Sequence, residues 1–206
     1  MVRPLDVATQ GAIRTRDAIL PRNLIVATAK NRSTGAPSVR CFWDDAETVA
    51  VNVLDEDGDV INHTFVGDGA VLGMDAIPMR IGLEVRTIEI TMSALHPEVQ
   101  ALVRGDDARG AKVEIYRGLL DTSSHLLVAN PRIRFLGRIN ETPISTAAAG
   151  GESTVTLRVV SHTRELTRTN PARKSDEQQK LRSGDRFRRY TGVAGDWPIF
   201  WGEQQG

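Results

Sequence analysis

Four histidines, one cysteine and one dense run of carboxylates are the residues with which this chain could do chemistry. His63, His96, His125 and His162 fall in four different segments, and no two stand at metal-ligand spacing. Each reads as a surface or hydrogen-bonded side chain. Ser124-His125 and Ser161-His162 are sequence neighbours, whereas a nucleophile and its base converge in space rather than along the chain. Cys41 is the sole cysteine, so neither an internal disulfide nor a thiolate cluster is open to the chain. Within Val39-Arg-Cys-Phe-Trp43 it reads as a small buried hydrophobe. The turn Asp55-Glu-Asp-Gly-Asp59 superficially resembles a calcium loop, but position 64, where a bidentate glutamate belongs, is Thr64. There is no G-x-S-x-G elbow, and Gly67-Asp-Gly69 lacks the strand-to-helix context of a phosphate-cradling loop. The carboxylates near the turn could in principle supply an acid/base pair; they read instead as a solvated edge. No enzyme, metal or cofactor is expected.

Charge is distributed unevenly on a chain whose formal net charge is zero. Asp44, Asp45, Glu47, Asp55, Glu56, Asp57 and Asp59 form an acidic stretch without a single base. Between His162 and Arg189 stand nine bases, Arg164, Arg168, Arg173, Lys174, Lys180, Arg182, Arg186, Arg188 and Arg189. Four acids, Glu165, Asp176, Glu177 and Asp185, leave this segment at +5. Opposite patches suit neighbour-to-neighbour assembly through complementary potentials. The competing reading is two solvated faces that never meet. Phe187, Tyr190, Trp197, Phe200 and Trp201 add aromatics to the basic segment. Such an arm could track phosphates and stack bases, which keeps a single-stranded nucleic-acid-binding β-barrel as the alternative reading. The neutral total and the acidic stretch oppose it, so protein is the expected partner and no specific nucleic acid is.

The elements that must position these groups are mostly strands. At 206 residues, a quarter charged and two fifths apolar, the chain has the composition of a globular protein able to bury a core. Its start, Met-Val-Arg-Pro-Leu-Asp, has no apolar secretion signal, and no run approaches the roughly 18 apolar residues of a membrane span. Synthesis in the cytoplasm without membrane contact is the expectation. Residues 1–23 read as a leading arm or a short helix. From 24 to 161 two-residue periodicity dominates: Leu24–Ala29 and Val39–Trp43 as one hairpin, Thr48–Leu54 and Val60–Val66 as another. Further strands are read at Glu84–Met92, Ala111–Arg117, Leu126–Val128, Arg132–Ile139 and Ser153–Ser161. Leu95, Val99, Leu102 and Val103 stand at helical spacing behind Pro97, giving one inserted helix near 96–104. Ser145–Gly151 reads as a flexible hairpin tip. Residues 162–206 form a basic arm with an aromatic end and one short helix candidate, Ala172–Leu181. The fold class is therefore mainly β, a barrel or sandwich with one helix.

The glycine-marked segment Phe65–Pro78 leads into Val85-Arg-Thr-Ile-Glu-Ile-Thr-Met92, and a helical linker reaches Gly105-Asp-Asp-Ala-Arg-Gly-Ala-Lys-Val-Glu-Ile-Tyr-Arg-Gly118. Arg134-Phe-Leu-Gly-Arg-Ile139 and Leu157-Arg-Val-Val-Ser161 follow, and then the arginine-rich arm. This order, over roughly the last two thirds of the chain, resembles the N-terminal domain of tail hub proteins of long-tailed phages and gene transfer agents. The resemblance implies a structural virion protein of the tail tip or baseplate. Its copies would form a closed ring joining the tail tube to tail-tip proteins. Such hub rings have three copies and distal tail rings six; three is the expectation here. The neighbours implied are tail-tube, tape-measure and tail-tip or fibre proteins. Some hub proteins of this family carry C-terminal cysteines at a metal or iron–sulfur site; this C-terminal half has none, which leaves a structural role and no cofactor. The chain looks like a hub reduced to its ring-forming β-domains, or a distal tail adaptor. In that setting Trp197, Phe200 and Trp201 would anchor the arm on a neighbour. Arg164, Arg168, Arg173, Lys174, Arg186, Arg188 and Arg189 would pair with acids across the contact, the stretch from Asp44 to Asp59 among them. The other reading of the arm has it fold back so that the tryptophans complete the core of their own barrel.

Overall fold

In the computed structural model the described residues are 5–16, 18–78, 82–149, 151–167, 169, 173–193 and 196. The chain divides into two compact units, Met1–Leu166 and Thr167–Gly206. The first opens with a short helix, α1 (Val7–Arg14). A ten-stranded sheet follows, made of β1 (Ile19–Asn31), β2 (Pro37–Trp43), β3 (Val49–Leu54), β4 (Val60–Phe65), β5 (Val71–Met74), β6 (Thr87–Ser93), β7 (Asp106–Asp121), β8 (Arg132–Glu141), β9 (Ile144–Ser145) and β10 (Thr154–Ser161). The fold is mainly β, as the periodicity indicates.

The long strands β1 and β7 pair antiparallel from Ile19↔Asp121 to Asn31↔Asp106, with one register shift between Thr28 and Lys30. The main path runs β2-β1-β7-β8-β10-β6-β5, and the β3–β4 hairpin branches from it. That hairpin joins the sheet at both ends. Leu54 lies parallel to Arg132 on β8, and Phe42 of β2 bridges Val66 just beyond β4. The sheet thus curls until β4 meets β2.

This curl explains why Leu24-Ile-Val-Ala is apolar without alternation. Ile25 and Ala27 face a large core with Ile88, Ile90, Met92, Val113, Ile115, Phe135, Leu157 and Val159. Leu24 and Val26 face a smaller one with Trp43, Val51, Val53, Phe65, Tyr116 and Ile133. A strand buried on both faces carries apolar residues at every position, because each side chain enters one core or the other. Fully burying a Val, Leu, Ile, Phe or Met side chain of this kind contributes on the order of 1.5–3 kcal/mol.

The large core is capped by α2 (Pro97–Gln100), which continues into a π-helical turn, Ala101–Gly105. Pro97 occupies the first turn and the His96 Nδ1 accepts the Glu98 N–H at 3.2 Å. Val99 and Leu102 are fully buried beneath it. The helix expected near 96–104 is present, in two geometries rather than one.

Several boundaries differ from the sequence reading. The first strand begins at Ile19 rather than Leu24; Pro21, Arg22 and Asn23 conceal it, and the far end of β7 supplies its partners. The strand read from Glu84 begins at Thr87. Leu126–Val128 is no strand of its own, only a bridge from Leu120 to Leu127. Ser145, the first residue of the segment read as a flexible tip, pairs together with Ile144 against β10 as β9.

The second unit contains a five-residue helix, α3 (Asp176–Lys180), shorter than the Ala172–Leu181 candidate. It starts where Ser175 Oγ accepts the Gln178 N–H at 3.3 Å; Ala172 lies outside the described residues. None of the described residues from Thr167 onward is buried.

Candidate functional site

The acidic stretch is split by its local structure into residues that build the β3–β4 end and residues that face solvent. Asp44 accepts from the Asn23 N–H and from Asn23 Nδ2, both at 2.9 Å, tying the end of β2 to β1. Asp45 meets Arg22 Nε at 2.9 Å. Burial pushes the Asp45 carboxyl up, but the Ala46 N–H and the Arg22 guanidinium outweigh it and hold the group below its ordinary value. Asp55 Oδ1 accepts the N–H groups of Asp57, Gly58 and Asp59 at 2.8–2.9 Å, so it organises the hairpin turn rather than offering charge to a partner. Gly58 takes the positive φ that the turn requires, 94°.

Glu56 reaches back to the sheet. Its carboxylate lies 2.8 Å from Lys112 Nζ, and the same ammonium lies 2.9 Å from Glu114. Burial lowers the Lys112 pKa, and the hydrogen bonds to Glu56 and Glu114 more than reverse this, so the group stays protonated. Glu114 is 8 % exposed and also accepts from the Tyr116 hydroxyl at 3.3 Å. Burial first, and then the nearby Glu114 charge, raise the Tyr116 phenol and push the Cys41 thiol up to about 12. Cys41 is therefore a protonated packing residue, half-buried against the smaller core where its sequence context predicts a buried one. Glu47, Asp57 and Asp59 have no ion-pair partner among the described residues.

The basic residues divide between the two units. Arg164 sits in the 3₁₀ turn His162–Thr167 of the first unit and donates to Asn140 Oδ1 at 2.7 Å. In the same turn Glu165 pairs with Arg138. Within the second unit Arg186 pairs with Asp176 at 2.8 Å, and Arg188 donates to the Lys174 carbonyl oxygen at 3.5 Å. The Arg189 guanidinium lies 5.4 Å from the Tyr190 ring centroid. Arg173 is exposed. Arg168, Trp197, Phe200 and Trp201 lie outside the described residues.

Two polar clusters escaped the sequence reading. The Lys112–Glu114–Tyr116 row lies on one face of β7 at every second residue, and the sequence shows its alternation but not that the hairpin turn closes over it. The other cluster centres on Asp106, which is fully buried and accepts from Arg40 Nε at 3.1 Å and Ser38 Oγ at 2.9 Å. Arg40 also pairs with Glu98 at 2.6 Å. This cluster ties β2, β7 and α2 together and has no short sequence signature, because its bonded partners are 58 to 68 residues apart. No group of three or more potential metal ligands occurs among the described residues.

No protein-family model matches this chain, and no curated protein matches it. Among solved structures, one similar chain belongs to the virion of a native gene transfer agent particle. The two share 19 % identity at a TM-score of 0.54, over 83 % of this chain and 50 % of the other. The likeness is one of fold. This chain spans half the length of that virion chain.

Proposed function

We propose that the protein is a structural virion protein of a phage-type tail tip or baseplate, one subunit of a ring that joins the tail tube to tail-tip proteins. The fold likeness to a chain of a gene transfer agent virion carries this reading. Tail hub and distal tail adaptor remain its two forms, with three copies the favoured symmetry for a hub and six the alternative. The interface is assigned to the basic arm, with Arg164, Arg168, Arg173, Lys174, Arg186, Arg188 and Arg189 meeting acids of a neighbour and Trp197, Phe200 and Trp201 as anchors. The arrangement of the acidic stretch supports a narrower choice of contact residues on the neighbour. Asp44, Asp45, Asp55 and Glu56 are engaged within their own chain, which leaves Glu47, Asp57 and Asp59 to face a partner. Size exclusion with light scattering tests the proposal. A discrete oligomer at micromolar concentration is the expected result, and a strict monomer at every concentration overturns it.

A further inference from the structure

We propose that the outer edge of β4 is a strand-docking site and that its occupant is the segment Arg186–Val193 of a second copy. This deepens the ring reading and rests on it. The decisive geometry is at Val66. Its N–H donates to the Cys41 carbonyl at 3.0 Å, and its carbonyl accepts the Trp43 N–H at 3.1 Å. Main-chain groups alternate in direction along a strand, so Thr64, Asn62 and Val60 turn the same way as Val66. The bridge between β2 and β4 is confined to Phe42 and Val66. Among the described residues the rest of that row has no main-chain partner.

The edge also lacks the usual protection. Natural edge strands are blunted by charges, proline, bulges or short length. β5 is four residues long and its pairing is irregular between Val71 and Gly73; β2 carries Pro37 and Arg40. β4 pairs with β3 in an unbroken six-residue register and holds no proline and no Asp, Glu, Lys or Arg. Its apolar side chains are uncovered as well. Ile61 stands opposite the fully buried Val53, yet it is 39 % exposed. Val39, two residues before Cys41 and so on the same face, is 49 % exposed. Both point to the side of the smaller core, which is open where β2 and β4 diverge.

Charge complementarity selects the occupant. Asp57 and Asp59 stand at the entrance to the edge without ion-pair partners among the described residues. Arg186-Phe-Arg-Arg-Tyr-Thr-Gly-Val193 brings three arginines together with residues that favour strands. Phe187 is 88 % exposed, Tyr190 64 % and Val193 51 %. With no buried described residue in its unit, this segment gives up little packing when it extends along a sheet edge and orders on binding. In that arrangement Arg188 and Arg189 meet Asp57 and Asp59, and Phe187 covers Ile61 and Val39.

Amide hydrogen exchange on the full chain, at concentrations above and below self-association, tests the proposal, together with Thr64→Pro and Val60→Lys. The Thr64 N–H faces away from β3, so proline there removes a docking donor without a hairpin bond; Val60→Lys places a charge on the edge should the proline variant fail to fold. The expected result is exchange at Asn62 and Thr64 slowed at least about tenfold only in the oligomer, and self-association weakened about tenfold or more in a folded variant. A wild-type chain that never self-associates overturns both this inference and the ring. An oligomer in which Asn62 and Thr64 exchange freely overturns the docking edge and leaves the ring standing. Protection that persists in the monomer assigns the strand to the same chain, and protection that survives deletion of Arg186–Val193 assigns it to another segment; either overturns the proposal.

Discussion

The N–H of Val66 donates to the carbonyl oxygen of Cys41, and through this contact the β3–β4 hairpin closes against β2. The chain can turn there because Gly67 follows. Its hypothetical Cβ would lie 2.0 Å from the Asp45 carbonyl oxygen and 2.8 Å from that of Glu47. Both obstacles are backbone, so neither can rotate away. Gly67→Ala is expected to destabilise the fold by about 1–3 kcal/mol, read as a lower urea midpoint at unchanged slope. An unchanged midpoint would show that the 44–47 segment yields easily.

Lys112 holds Glu56 and Glu114 together, and only Glu114 is buried. Lys112→Ala leaves that carboxylate with the Tyr116 hydroxyl alone. The expected cost is about 1–3 kcal/mol. Glu114→Gln in the same chain should recover part of it, because the neutral amide costs less to bury than an unpaired charge. A double-mutant cycle on chemical denaturation measures the coupling, and simple additivity would remove the row from the account.

The Asp45 carboxyl titrates below its ordinary value when folded. A carboxyl with a depressed folded pKa contributes stability above its unfolded value, about pH 4, and this is lost as pH falls through the lower folded value. Asp45→Asn is therefore expected to be less stable than the parent at pH 7 and to lose less on acidification to about pH 3. Equal acid sensitivity of the two proteins would contradict the Arg22 pairing.

Cys41 should be slow to react. With its thiol pushed up to about 12, the thiolate fraction at pH 8 falls by roughly a thousandfold against an ordinary cysteine. The expected outcome is slow modification by a disulfide reagent in native buffer and rapid modification in denaturant. Comparable rates in both would mean that the thiol is not held against the smaller core.

Deleting Thr191–Gly206 removes Trp197, Phe200 and Trp201 and is expected to abolish assembly while the sheet remains folded. Circular dichroism and light scattering on the same sample separate the two effects. Assembly that survives the deletion would exclude these aromatics as anchors. Salt-sensitive retention on single-stranded DNA, by contrast, would favour nucleic acid as the arm's partner.

What the sequence determined by itself is the set of elements whose signals are local. The hairpins at Leu24–Trp43 and Thr48–Val66, the alternation in β6, β7 and β10 and the helix behind Pro97 rest on periodicity and turn chemistry that operate within a dozen residues. The separation of an acidic stretch from a basic one was equally plain, since charge needs no folding to be counted. Tertiary structure decided what those features are for. Pro21 and Arg22 become strand because β7 is long enough to pair with them, and Asp106 is tolerated in the core because Arg40 and Ser38, on β2, arrive beside it. The acidic stretch changed most. Its seven carboxylates read as one solvated edge, but Asp55 binds its own backbone and Glu56 reaches Lys112, while Asp57 and Asp59 stay outside. Hydrogen bonds and register depend on partners far along the chain, and composition carries no record of which side chain meets which.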